Sequence, residues 1–210
     1  MRTAKRDPLK PSLLALALTP WMLCALACGG NSTSQSELTA ISVESRDRIV
    51  SENGELELID GTLAVRSISL VGADGNVPLF GPTVIDLAAS EQRAPFIGPV
   101  PAGDYAGLAI ELAPPDGGTQ MLDIELQTLI GAEQVRAVSP LTLSGTTQFP
   151  EGARTIPEGA ELELHVNLTG MFFYLYPVSD AVDGRYEAGE DQRGFLTMNL
   201  VGMFDLHVFP

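Results

Sequence analysis

Hydrophobic and polar residues alternate one by one along most of the chain after residue 38. The clearest case is the segment 161–168, where Leu162, Leu164, Val166 and Leu168 are separated by polar residues. Because successive side chains of a strand point to opposite faces, this pattern predicts strands with one buried and one exposed face. Glycine and proline separate these segments at short intervals, which is typical of a protein built from many short strands.

The alternation places strands along the whole of this region. They are predicted at residues 41–43, 56–58, 62–71, 77–87, 96–100, 105–112, 122–126, 135–138, 141–149, 162–168 and 196–208. The Asp74-Gly75-Asn76 turn predicts a hairpin, and Pro78 and Pro82 indicate an edge or broken strand. Ala106, Leu108, Ile110 and Leu112 are expected to share one face. No amphipathic helix of twelve residues is evident, so we predict an all-β, antiparallel β-sandwich of immunoglobulin or prealbumin type over residues 38–210.

The first 27 residues have a different pattern. The segment 1–11 carries four basic residues and one acid, and the mostly apolar segment 13–27 follows it. A positive region followed by a short apolar region is typical of a secretory signal peptide. The apolar part is shorter than the roughly 20 residues that a membrane-spanning helix needs. We therefore expect residues 1–27 to be a removable signal peptide.

The end of this segment, Ala25-Leu26-Ala27-Cys28-Gly29-Gly30, resembles the lipobox of bacterial lipoproteins. The resemblance implies that Cys28 is acylated and becomes the first residue of the mature protein, and Gly29 after it implies sorting to the outer membrane. Several acyl chains together give a firm anchor. Residues 28–37 are expected to form a flexible tether. The alternative is an ordinary signal peptide, whose removal leaves Cys28 as a free thiol.

Removal of residues 1–27 would leave a strongly acidic chain with eight arginines, no lysine and 26 acidic residues, and a formal charge of −18. This charge argues against nucleic acid and against electrostatic binding to anionic lipid. It is compatible with solubility alone, with cation binding or with a basic partner. The chain has no G-x-S-x-G, H-E-x-x-H or phosphate-loop motif, and the mature part offers no lysine nucleophile. We therefore expect a protein that is not an enzyme and has no cofactor apart from a metal ion such as calcium.

Two groups of residues are candidates for metal binding. The first is an acidic loop that suits calcium, since hard cations take oxygen ligands from loops; a solvated loop without a metal is the alternative. Its residues are Asp180, Asp183, Glu187, Glu190 and Asp191. The second is the pair His165 and His207, which would share a zinc or copper site if the strands 161–168 and 196–208 pair. Otherwise they are two separate surface histidines.

A short internal similarity joins two apolar segments. Residues 167–172 (NLTGMF) recur as residues 199–204 (NLVGMF). We interpret both copies as strands that end in a similar environment. The aromatic residues that follow the first copy are a candidate partner-binding patch for a protein or glycan of the envelope, or they close the core. They are Phe172, Phe173, Tyr174 and Tyr176.

The order of strands and turns also resembles known families. The segment Val84–Leu87 is an apolar strand, and the segments Val100–Tyr105 and Ile156–Ala160 each contain a turn with proline and glycine that opens the next strand. This layout resembles a bacterial lipoprotein family with a domain of unknown function, whose β-sandwich is of the prealbumin or carboxypeptidase-regulatory kind. A second resemblance is to periplasmic copper-handling partner proteins, which rely on tryptophan-derived chemistry; the single tryptophan, Trp21, lies in the predicted signal peptide.

Together these patterns predict a lipid-anchored envelope protein that acts as a non-enzymatic binding or structural module. The alternative prediction is an envelope lipoprotein that binds calcium or copper. The ligand and the oligomeric state are not indicated by any motif in the sequence.

Overall fold

The alternating segments form β-strands in a computed structural model, which describes residues 35–44, 49–51, 54–94, 98–128, 133–168 and 181–210. Within these residues the strands are β1 (Glu37–Glu44), β2 (Ile49–Ser51), β3 (Gly54–Gly72), β4 (Gly75–Phe80), β5 (Thr83–Asp86), β6 (Glu91–Arg93), β7 (Gly103–Leu112), β8 (Leu122–Thr128), β9 (Gln134–Ser139), β10 (Leu143–Gln148), β11 (Arg154–Ile156), β12 (Glu161–Asn167), β13 (Arg185–Glu187) and β14 (Phe204–Phe209). The all-β prediction is confirmed.

In the part of the chain that the structure describes, four strands from distant positions form the smaller sheet, in the order β14-β12-β1-β6. β12 is antiparallel to β14 and parallel to β1. The antiparallel prediction is therefore wrong for the β1–β12 pair and also for β13 and β9, which are parallel. Neither parallel pair is joined by a hairpin, so no short turn fixes the direction of its strands.

The folded part begins before residue 38. Ser36 is fully buried, forms a bridge with Val100, and its hydroxyl donates a 2.6 Å hydrogen bond to the carbonyl of Pro157. Glu37 is already the first residue of β1. Ser36 and Glu37, which the sequence pattern assigned to the end of the tether, thus make contacts with the folded part of the chain.

Among the described residues the larger sheet has ten strands, and the 19-residue strand β3 is at its centre. Its main order is β10-β7-β3-β8-β9-β13, and β3 also pairs with β2, β4 and β5. The hairpin predicted at Asp74–Asn76 joins β3 to β4. Apolar residues from both sheets, such as Leu164 of β12 and Leu108 of β7, belong to one hydrophobic cluster. This shared core between two sheets is the arrangement of a sandwich.

One face assignment in β7 is wrong. Leu108, Ile110 and Leu112 are buried as predicted, but Ala106 is exposed. The pairing with β3 is irregular here, and Ala106 is skipped between residues 105 and 107 in the register. Such an irregularity shifts the alternation by one residue. Gly107 lies within it, where a Cβ atom would come 2.0 Å from the carbonyl oxygen of Thr147.

The segment 196–208 is not one strand. Residues Arg193–Gly202 form helix α1, and only residues 204–209 form β14. The helix buries Leu196, Leu200 and Val201, and Val201 packs against β10 at Gly145, where a Cβ atom would lie 3.2 Å from its methyl groups. The two similar hexapeptides therefore differ in structure: residue 167 ends β12, whereas residues 199–202 are helical. No helix among the described residues has the length and apolar character needed to cross a membrane.

Candidate functional site

The exposed face of the smaller sheet brings together three residues with metal-binding side chains. Glu163 and His165 lie two residues apart on β12, so both point to the same face. In the register with β14, His207 pairs with Glu163 and Asp205 pairs with His165. The two histidines are 42 residues apart in sequence, and only the pairing of β12 with β14 makes them neighbours. The pairing of these two strands, on which a shared site of His165 and His207 depends, is thus present.

The geometry of this group, which we call the histidine site (Glu163, His165 and His207), is close. One potential ligand atom of each side chain lies within 4.8 Å of the others. The two imidazole rings are stacked, with centroids 4.9 Å apart and an angle of 9° between their planes. Glu163 and His165 are partly buried and His207 is exposed. A small ion could therefore reach the site from solvent.

Arg154 connects the histidine site to the larger sheet. It lies on β11, which pairs with β7, yet its Nη1 donates a 2.8 Å hydrogen bond to Oδ1 of Asp205 and a second to the carbonyl of Leu206, both on β14. Its guanidinium also lies 4.2 Å from the centroid of the Phe149 ring. Oδ2 of Asp205 is 3.9 Å from Nε2 of His207. The arginine thus fixes the strand segment that carries His207.

The donor set of the histidine site limits the ions that suit it. Two imidazole nitrogens and one carboxylate oxygen are ligands for zinc, copper or nickel, whereas calcium prefers a shell of six to eight oxygens. The carboxylate of Glu163 would offset part of the charge of a divalent cation. Among the described residues, the histidine site is the one group of three or more histidine, cysteine, aspartate or glutamate side chains whose potential ligand atoms lie close together.

The predicted calcium ligands are arranged differently. Asp180 lies outside the described residues, and Asp183 occupies a tight turn with Gly184, at φ values of 52° and 73°. Glu187 lies 3.5 Å from Arg185, and both carboxylate oxygens of Glu190 accept 2.6 Å hydrogen bonds from Arg193. These hydrogen bonds hold the pKa of Glu190 below its usual range. The structure does not bring the described acids of this loop together, and calcium binding stays a prediction.

Other predicted site residues cannot be placed. Phe172, Phe173, Tyr174 and Tyr176 fall in the segment 169–180, and Cys28 falls in the segment 1–34, both outside the described residues. The partner-binding patch and the acylation of Cys28 stay predictions.

Sequence reasoning missed Glu163 as a potential ligand, although it had placed this residue on the exposed face of its strand. The Glu-x-His spacing of Glu163 and His165 was a usable signal, because residues two apart on a strand share a face. The neighbours Ser42 and Asp205 had no such signal. Ser42 pairs with His165 across a parallel contact between β1 and β12, and its Oγ lies 3.1 Å from Nδ1 of His165.

Comparisons with known proteins show little similarity to this chain. No family model and no curated protein matches the sequence. Among solved structures, MbnP from Methylosinus trichosporium is similar at 11% sequence identity and a TM-score of 0.38, and the match covers 81% of this chain and 98% of that chain. A match at this level carries no inference about function.

Proposed function

We propose that this protein is an exported, lipid-anchored envelope protein whose β-sandwich binds a transition-metal ion, and that it is a binding protein rather than an enzyme. The observation that carries the metal-binding part is the histidine site, where potential ligand atoms of Glu163, His165 and His207 lie within 4.8 Å of one another. The lipobox-like sequence before Cys28 supports the anchor.

Copper(II) is the ion that we expect to bind most tightly. For a given set of nitrogen and oxygen ligands, affinity among divalent first-row metals reaches its maximum at copper(II), followed by a lower value for zinc. Three protein ligands also leave a coordination position for water or for a ligand from a partner. The proposal therefore gives the protein a role in holding or passing on such an ion.

A metal titration tests the proposal. The folded protein, produced with Cys28→Ser so that it stays in solution, would be titrated with Cu²⁺, Zn²⁺ and Ca²⁺ in a calorimeter. We expect one equivalent of Cu²⁺ to bind, Zn²⁺ to bind more weakly and Ca²⁺ not to bind at the histidine site. The double variant His165→Ala/His207→Ala should lose at least about 100-fold in Cu²⁺ affinity, beyond the 10- to 100-fold typical of residues that only orient a ligand.

The matched control is Glu161→Gln, which removes an exposed carboxylate from the same strand two residues before Glu163. This change should leave Cu²⁺ affinity close to that of the parent protein, whereas Glu163→Gln should lower it. Equal affinity in the parent protein and the double histidine variant would place the ion elsewhere and refute the proposal.

The anchor has its own test. With Cys28 intact, the protein should be found in the membrane fraction and carry fatty acid detectable by mass spectrometry. Cys28→Ser should move it to the soluble fraction. A membrane-bound Cys28→Ser protein would refute the anchor without affecting the metal-binding proposal.

A further inference from the structure

In the part of the chain that the structure describes, three strands of six residues are paired on one side only: β4, β10 and β14. The unpaired N–H and C=O groups of such an edge can bind another strand, so proteins usually block long edges with proline, charged side chains or irregular pairing. β4 is blocked in this way, because it contains Pro78 and pairs with β3 in an irregular register. The edges of β14 and β10 differ from each other.

β14 is blocked by charged side chains near its middle. The N–H of Leu206 donates a 2.8 Å hydrogen bond to Oδ1 of Asp205, and the carbonyl of Leu206 accepts one from Nη1 of Arg154. Both backbone groups that another strand would need at this position are therefore occupied. β14 is thus closed to an added strand at Leu206.

β10 has an open edge. In an antiparallel pair every second residue bonds to the partner strand, and the residues between them point their N–H and C=O groups away from it. The N–H of Phe149 donates to the carbonyl of Ala106 at 3.0 Å, which continues the register of β10 with β7. The backbone groups of Ser144, Thr146 and Gln148 therefore point away from β7, and no hydrogen bond to them is found among the described residues. All three residues are exposed.

The open edge is also uncharged. Residues 137–150 contain no acidic or basic residue, although the chain as a whole has 27 acidic and 12 basic residues. Two copies of such an acidic chain repel each other, so a neutral surface is where they can approach at the lowest cost. The carbonyl of Thr142 follows the same alternation and accepts a hydrogen bond from Arg193, which ends the open edge on that side. The neutral segment therefore contains the whole open edge.

The edge of β10 is complementary to itself. When it lies antiparallel to a second copy with Thr146 opposite Thr146, Ser144 lies opposite Gln148 of that copy. In this register every outward N–H of β10 meets a C=O, and every outward C=O meets an N–H. A two-fold axis through the Thr146 pair relates the two copies, which is the commonest symmetry of homo-oligomers. The two threonine side chains can also form a favourable cross-strand pair.

We propose that the outer edge of β10 is the interface of a homodimer, in which the larger sheets of two copies join at Thr146 into one continuous sheet. Backbone hydrogen bonds provide the affinity of such a strand addition. The interface lies on the larger sheet and contains no residue of the histidine site. This inference is therefore independent of metal binding.

Sedimentation velocity of the Cys28→Ser protein over a range of concentrations tests the proposal. We expect the parent protein to form a dimer. Thr146→Pro should raise the Kd of this dimer at least about 10-fold, because hydrogen bonds between the copies are lost while those between β10 and β7 are kept. Thr146→Lys places two like charges opposite each other and should also weaken the dimer. This second variant decides the question if Thr146→Pro does not fold.

The matched control is Thr62→Lys. Thr62 is also an exposed threonine of the larger sheet, but its strand is paired on both sides there, with Asp86 of β5 and Asp123 of β8. The same change in charge at Thr62 should not weaken the dimer, since no backbone edge is open at this position.

A disulfide tests the register of the interface. Thr146→Cys is introduced into the chain with Cys24→Ser and Cys28→Ser, which has no other cysteine. Residues directly opposite in such a pair have Cα atoms about 5.5 Å apart, within the range that a disulfide can join. Thr146→Cys should therefore form a covalent dimer on mild oxidation. Ser144→Cys should not, because the two copies of residue 144 would lie about 13 Å apart along the strands.

Three results would each refute the proposal. The first is a parent protein that stays monomeric up to about 1 mM. The second is a dimer that neither Thr146→Pro nor Thr146→Lys weakens, because its interface would lie elsewhere. The third is equal disulfide formation at residues 144 and 146, which would contradict the two-fold register at Thr146.

Discussion

The histidine site and the acidic segment 181–193 show two opposite relations between sequence and structure. The acids Asp183, Glu187, Glu190 and Asp191 are close in sequence, yet the structure pairs two of them with arginines and places a third in a tight turn. Glu163 and His207 are far apart in sequence, yet they face each other across two paired strands. Closeness in sequence thus did not produce a group of ligands, whereas strand register did.

Charge explains why the acidic segment did not form such a group. Carboxylates that approach one another repel unless a cation lies between them. In this segment the cations come from the protein itself, as Arg185 beside Glu187 and Arg193 beside Glu190. The histidine site differs because neutral imidazoles can stack without repulsion, so this site can form without an ion.

The largest expected loss of stability comes from replacing the arginine that contacts the strand of the histidine site, compared with an arginine of the acidic segment. Arg154 is 19% exposed, hydrogen-bonds to Asp205 and Leu206 and covers the Phe149 ring. Arg154→Leu should lower the free energy of unfolding by about 2 kcal/mol, because charge-assisted hydrogen bonds are lost and partly buried polar groups lose their partner. It should also weaken Cu²⁺ binding, since the segment of β14 next to His207 loses its link to the larger sheet.

The matched control is Arg193→Leu in the acidic segment. Arg193 makes two short hydrogen bonds to Glu190 and donates a third to the carbonyl of Thr142, but these contacts are exposed, and exposed ion pairs contribute little to stability. Urea denaturation of both variants should show a clear loss for Arg154→Leu and a much smaller one for Arg193→Leu. Equal losses of stability would show that Arg154 contributes no more to the fold than an exposed arginine does, and would contradict this prediction.

Features that depend on residues close together in the sequence were predicted, whereas features that depend on contacts between distant residues were not. Alternation predicted the strands and the buried faces because it is a local property, as Leu162 and Leu164 show. The error at Ala106 came from an irregular strand pairing, and helix α1 was missed because its ten residues bury only three side chains. The pairing of β12 with β14 was stated as a condition for a shared site, but its register is set by the whole sheet. For this reason Ser42 was not predicted as a neighbour of His165. Glu163 was missed although its spacing from His165 was a local signal.

A smaller effect is expected from low pH, at an ion pair between β8 and β9 that lies next to β13 of the acidic segment. Arg136 donates hydrogen bonds of 2.7 Å and 2.5 Å to Asp123, and these bonds, together with the charges of Arg136 and Arg185, hold the pKa of Asp123 below its usual range. Because the pKa is lower in the folded state, the ionised pair stabilises the fold fully above the unfolded value of about 3.9. This contribution is lost as the pH falls through the lower folded pKa.

We therefore expect Asp123→Asn to be less stable than the parent protein at pH 6 and to lose less stability between pH 5 and pH 2. Thermal unfolding across this pH range measures both effects. Asp116→Asn, in an exposed loop, makes the same change in net charge and serves as the control. A parallel pH profile for Asp123→Asn and the parent protein would show that the Asp123–Arg136 pair adds nothing to stability.

The smallest expected effect is the response of the acidic segment to calcium. A site with a Kd of 1 mM would stabilise the protein by about 0.4 kcal/mol at 1 mM Ca²⁺. We expect a smaller effect, because Glu187 and Glu190 already have arginine partners. The double variant Asp183→Asn/Asp191→Asn tests this directly: asparagine tolerates the positive φ of residue 183, so the turn is kept while the charge is removed. With Mg²⁺ as a control for ionic strength, the parent protein and the variant should show the same change in unfolding midpoint when Ca²⁺ is added. A rise in midpoint that is specific to Ca²⁺ and absent in the variant would support the predicted calcium site. It would mean that an ion brings these acids together, whereas strand register brings together the residues of the histidine site.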